Sequence, residues 1–164
     1  MTDKTEGLIE AYNNTRYVFE VFRREVVLVP GLNNFILDNF LRSKNLDSAA
    51  ILTAWNPRSA SCLQCDNNVA NNRLLEELKE IGVLAFLGFG EGLDGNWPSE
   101  DSFLACGLDE MKASKLADKY EQNAFIFYEV EREASVYFTN ISKDIKKDSV
   151  LLPHKNEAMK MGSL

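Results

Sequence analysis

Alternation opens the chain. Tyr17, Phe19 and Val21 lie on one side of an extended segment, with Val18, Glu20 and Phe22 on the other. Period two predicts a strand here, and Val26–Val29 predicts a second one beyond the charged residues Arg23, Arg24 and Glu25. Before them, Leu8, Ile9 and Tyr12 give a short helical face that ends at Asn13 and Asn14. After Pro30 and Gly31, the residues Leu32, Phe35, Ile36 and Phe40 recur at helical spacing and predict a helix over 31–42 with that stripe turned inward. Residues 49–54 form a short run that is nearly all apolar, which fits a central strand covered on both faces better than a helix. A second helix is expected over 67–81, with Asp66 as its cap, Ala70, Leu74, Leu78 and Ile81 as its buried face, and Gly82 as its stop. Residues 83–89 predict a strand, the glycines from Gly88 to Gly95 a loop, and 102–106 another strand. Asp109 is placed to cap a helix burying Ala113, Leu116, Ala117 and Tyr120. Residues 124–130 and 135–139 predict a hairpin around Glu131, Arg132 and Glu133. Hairpins interspersed with helices of crossover length point to an α+β fold, with helices packed on a mostly antiparallel mixed sheet.

Length and charge narrow the choices. A chain of 164 residues buries about 70% of its unfolded surface, so it can build a core without disulfides or metal. No repeat or linker divides it. We expect a single domain over residues 1–142 and a loosely held tail over 143–164, with one docked turn around Val150–Leu152. The net charge is −7, with the acid excess concentrated in residues 51–150. Such a chain is not expected to bind nucleic acid by neutralising phosphates. The lone histidine, His154, makes a Ser–His–Asp triad or an H-E-x-x-H zinc site improbable. No apolar run is long enough to span a membrane. The polar first residues lack a signal-peptide core, so the sequons at Asn13 and Asn140 carry no weight. Three cysteines, Cys62, Cys65 and Cys106, are read as reduced thiols in a cytoplasmic protein. The single C-x-x-C lies in a polar loop with no second knuckle, so neither a zinc site nor a redox motif is expected. No cofactor and no metal is expected.

Candidate chemistry gathers in a few polar segments. Trp55, Asn56 and Arg58 follow the central strand directly, a position where a rigid element carries mobile polar groups. Arg58 offers a planar fork suited to a carboxylate or phosphate, although a surface charge beside a turn accounts for it equally simply. Asn67 and Asn71, one helical turn apart, share a face where Asn is a mediocre helix former. Either they cap and fray the first turn, or their amides hold the preceding loop or a ligand. Glu91 and Asp94 in the glycine stretch argue against a phosphate loop, as does the lack of a helix after it. Trp97 and Glu100 could line a cleft, where a partly buried Glu100 would act as a general acid or base, although a solvent-exposed acid is the plainer role of Glu100. Gln122, after the last helix, is the remaining candidate; a helix-ending amide is its plainer role.

Taken in order, Thr53-Ala54-Trp55-Asn56-Pro57-Arg58-Ser59, the Asn67/Asn71/Leu74/Leu78 helix, Trp97-Pro98 with Glu100, Ser102 and Phe103, and Tyr120 with Gln122, Asn123 and Ala124 resemble the bacterial domain-of-unknown-function family 3293. The resemblance runs from about Tyr12 to Val130. It implies a small soluble bacterial or phage protein and no established activity. If one end of the sheet gathers these residues, they form a polar cleft with aromatic walls, suited to a small polar ligand such as a nucleotide or sugar phosphate. Arg58 would hold the anion, Asn56, Asn67 and Asn71 would orient it, Trp55 or Trp97 would stack, and Glu100 would move a proton. The competing expectation is an interaction or regulatory module whose acidic surface, including Glu76, Glu77 and Glu80, engages a basic protein partner.

Overall fold

The computed structural model describes residues 2–95 and 97–139, with side chains from residue 6 onward. The expected tail, with its docked turn and His154, lies outside the described residues, as does Asn140. The elements run α1 (Thr2–Asn13), β1 (Thr15–Val21), β2 (Arg24–Leu28), α2 (Phe35–Ser43), β3 (Ser48–Leu52), a 3-10 turn (Pro57–Ser59), α3 (Gln64–Glu80), β4 (Leu84–Gly92), β5 (Glu100–Cys106), α4 (Glu110–Lys119), β6 (Ala124–Glu129) and β7 (Ser135–Phe138). The seven strands form one curled sheet in the order β2-β1-β4-β5-β3-β6-β7. Every pairing is antiparallel. This is the α+β architecture expected from the pattern, with no parallel pair among the described residues.

Each face of the sheet carries its own core. On one face Tyr17, Phe19, Val21, Ile51, Leu104, Ile126 and Tyr128 pack with Leu37 and Leu41 of α2, and Tyr12 of α1 joins their edge. On the other, Ala50, Leu52, Phe103, Phe125 and Phe127 meet Leu74 and Leu78 of α3 and Leu116 and Ala117 of α4. Strands buried on both faces explain the apolar run of β3, as expected.

Two helices differ from the expected pattern in instructive ways. Helix α2 begins at Phe35, where the Asn34 side chain accepts from Leu37 N at 2.8 Å. It buries Leu37, Asp38 and Leu41, leaving Phe35 75% exposed and Leu32 and Ile36 exposed too. The stripe is rotated because Asp38 turns inward: its carboxylate accepts from Tyr128 Oη at 2.6 Å and from Glu131 N at 3.1 Å. A buried acid with two donors costs far less than a bare one. Helix α3 begins at Gln64, ahead of the expected Asp66 cap; Leu63 stands at the cap without a side-chain bond. Its buried face is Asn67, Asn71, Leu74 and Leu78, while Ile81 is exposed.

The glycine stretch is the clearest departure. Strand β4 continues through Gly88 and Gly90 to Gly92, where a loop was expected. Gly88 pairs with Phe19 and Gly90 with Tyr17. A β-carbon at Gly88 would lie 2.1 Å from Val18 O, and one at Gly90 2.9 Å from the Tyr17 ring. These glycines make room in the strand for the neighbouring aromatic rings, one of the few reasons a strand keeps Gly in its interior.

Candidate functional site

At one end of the sheet β3 and β4 finish while β1, β5 and β6 begin. A cavity of about 240 Å³ lies there. Its deep walls are the buried Tyr17, Ile51, Ser102, Gln122, Phe125 and Ile126. Trp97, 37% exposed, and Ser59 and Ser61 stand at its rim. Tyr12, Thr53, Trp55, Asn56 and Glu100 complete the polar and aromatic lining.

The segment between β3 and α3 is held by amide side chains. Asn71 Oδ1 accepts from Ala54 N at 2.7 Å, and its Nδ2 donates to Asp101 O at 3.0 Å. Asn67 Oδ1 accepts from Asn56 N at 2.8 Å, and its Nδ2 donates to Asn56 Oδ1 at 2.9 Å. Thr53 Oγ1 donates to Asp101 O at 2.7 Å and accepts from Trp55 N at 3.1 Å. Gln122 Nε2 donates to Trp55 O at 3.1 Å. Beyond it, Asn56, Arg58 and Ser59 all adopt left-handed backbone, at φ of 44°, 56° and 58°. Strain of this kind costs roughly 1–3 kcal/mol per residue and persists only where surrounding bonds over-determine it. Here Arg58 N donates to Glu121 O at 2.7 Å and Asn123 Nδ2 to Ser59 Oγ at 2.9 Å.

Glu100 is the one carboxyl group in the lining, among which the described residues include no Lys, Arg or His. Burial raises its pKa above the ordinary glutamate value; hydrogen bonds from Asn56, at 3.1 Å to Oε1, and from Trp97 pull partly the other way. Burial also holds the Tyr12 and Tyr17 phenols well above their usual pKa, with the charge of Glu100 adding to the effect. Both therefore stay neutral hydrogen-bonding groups at ordinary pH. Ser102 is 3% exposed. It is among the lining residues, and its buried hydroxyl has no hydrogen-bond partner among the described residues.

Of the residues singled out by sequence, Trp55, Asn56, Trp97, Glu100 and Gln122 line this cavity together. Asn67 and Asn71 stand behind it, their amides spent on the backbone of Ala54, Asn56 and Asp101 and on the Asn56 side chain. Arg58 lies outside the lining, 66% exposed in its side chain, with its guanidinium 2.8 Å from Glu121. Sequence reasoning missed Tyr12, Thr15, Tyr17, Thr53 and Ser102. For Ser102 a signal existed: it is a lone hydroxyl two residues after Glu100 in an apolar strand, hence on the same face. Cys62 and Cys65 are free and exposed, whereas Cys106 is free and buried, its thiol pushed up to about 12. No group of three His, Cys, Asp or Glu among the described residues could hold a metal. Nor is any helix among them long and apolar enough to cross a membrane.

No curated protein and no solved structure matches the chain. The family described as "Protein of unknown function (DUF3293)" matches residues 52–125, a shorter span than the resemblance from Tyr12 to Val130 had suggested. The matched segment contains the loop after β3, the bracing helix, both tryptophans, Glu100, Ser102 and Gln122. Through that segment, which spans less than half of the chain, the protein is similar to the domain-of-unknown-function family 3293.

Proposed function

We propose that the protein binds a small polar molecule carrying a flat ring in the cavity at the end of the sheet. The observation that carries this reading is a cavity walled by Trp55, Trp97, Tyr12, Tyr17 and Phe125 with a few convergent polar groups on one side. Apolar and aromatic walls with sparse, fixed polar atoms are what small-molecule sites share. A void of about 150 Å³ accommodates benzene, so this one has room for a ring and a polar substituent. The strained, over-braced backbone at 56–59 supports the reading as well. Proton transfer to or from the bound molecule would run through Glu100, whose raised pKa suits acid–base work.

The competing reading, an acidic surface for a basic partner, is weakened on α3. Glu76 is paired with Lys79 at 2.8 Å and Glu77 with Lys119 at 2.7 Å. Reversing the charge of Glu76, Glu77 and Glu80 is expected to leave ligand binding unchanged.

A fragment screen by thermal shift, followed by nitrogen–proton shift mapping, tests the proposal. Binders are expected to move the indole signals of Trp55 and Trp97 and the amides of Glu100 and Ser102, and Trp97→Ala should weaken them. A screen in which no fragment moves those signals overturns it. Nucleotides and sugar phosphates belong in the same screen against wild type and Arg58→Ala, because an anion would have to find its counter-charge at the rim.

A further inference from the structure

We propose that the cavity recognises its ligand by a donor-rich planar edge of the amide or amidine kind, read jointly by Glu100 and Ser102, and that it discriminates against carboxylates and phosphates. This deepens, and rests on, the reading of the cavity as a small-molecule site.

Two unmet capacities sit side by side. An ionised carboxylate offers about four lone-pair positions. The Glu100 carboxylate receives Asn56 and Trp97, which leaves room for about two further donors. Two residues on, Ser102 presents a buried hydroxyl with no partner among the described residues. A buried polar group left without a hydrogen bond is costly, so a ligand atom that reaches it gains more than one meeting a solvated hydroxyl. On a strand, residues i and i+2 project from the same face about 7 Å apart. The long glutamate side chain and the short serine can therefore reach neighbouring atoms of one planar group.

Charge excludes the opposite chemistry. Glu100 stands without a cationic side chain among the described lining residues. The guanidinium of Arg58 is outside, engaged with Glu121. An anion entering the cavity would meet a carboxylate and lose its hydration for no counter-charge. A protonated amidine restores to Glu100 the solvation that burial removed, through charge-assisted hydrogen bonds. The aromatic walls accept the flat ring, and ring faces favour a nearby cation.

Benzamidine, benzamide and benzoate share ring and size and differ only in that edge, so they are the probes. Affinity is read from shift titrations on the full chain at neutral pH. Benzamidine is expected to bind most tightly, benzamide next, and benzoate at least tenfold more weakly than benzamidine. Glu100→Gln should erase the preference for benzamidine over benzamide. Ser102→Ala should weaken both by roughly three- to tenfold, the effect of one hydrogen bond, while melting no lower than wild type, since it removes an unsatisfied group. Equal binding of all three probes at the cavity, or a preference for benzoate, overturns the inference and leaves the small-molecule reading standing. So does binding by other fragments at the cavity when none of the three binds. A cavity that no fragment in a broad set enters overturns the underlying reading instead.

Discussion

Single side chains decide whether the site exists. Asn71 satisfies Ala54 N and Asp101 O at once; in Asn71→Leu the Asp101 carbonyl keeps the Thr53 hydroxyl, but the buried Ala54 donor is stranded. The expected loss is about 2 kcal/mol, within the roughly 1–3 kcal/mol of one unsatisfied buried group, read as a shift in the urea midpoint. Glu100 works against folding instead. An acid whose pKa is raised in the folded state binds its proton more tightly there than in the unfolded chain. Its destabilising effect is therefore absent below the ordinary glutamate pKa and grows as pH rises through the raised value. Glu100→Gln, which keeps an oxygen facing Asn56 and Trp97, should melt higher than wild type at neutral pH. The gap should close on acidification below about pH 4. A gap that is constant with pH, or that widens on acidification, would contradict the assigned burial of this carboxyl group.

Among the elements, the hairpins and the β4 strand show where local sequence stops deciding. The β1–β2 turn places Phe22 and Arg23 at φ of 45° and 66°, positions that favour Asn or Gly. Phe22 is retained there because its ring meets Phe40 and Phe86 at 5.6 and 5.5 Å, with the Lys44 amine over its face. Arg23 has no such contact described, so Arg23→Gly should raise stability by about 1 kcal/mol, the cost of left-handed backbone for a residue with a β-carbon. Gly88→Ala should lower it by about 3 kcal/mol, because the obstruction is the Val18 carbonyl and backbone cannot swing aside. Calorimetric melting of both variants checks the pair. The order of helices and strands was legible because each apolar run kept its own period. The extent of β4 was not, since Gly88 and Gly90 are explained only by Phe19 and Tyr17, about seventy residues earlier. The orientation of α2 was hidden for a related reason: Asp38 reads as polar, and its donors, Tyr128 and Glu131, lie ninety residues away. In the site, Trp55, Asn56, Trp97, Glu100 and Gln122 were visible as unusual residues at element ends. Tyr12 and Tyr17 were not, because a tyrosine in a core pattern looks the same whether it faces apolar packing or a cavity.

At the scale of the whole molecule, the cavity is assembled from both ends of the described chain. Its lining runs from Ala11 to Ile126, and the wall that Tyr17 provides depends on β1 pairing with β4, Thr15 opposite Gly92. Such distant pairings form late and slowly, so a competent site is expected only when the sheet is complete. A ligand that binds there stabilises the entire fold by mass action, at about 2.7 kcal/mol when present at a hundred times its dissociation constant. The way the 54–56 segment is tethered has a separate dynamic consequence. The amide protons of Ala54 and Asn56 are given to side chains of α3, not to a neighbouring strand. Their exchange with deuterium therefore measures how often α3 lifts from the sheet end while the strands stay paired. Those two protons form a native clock for the opening of the site, readable without any ligand in hand.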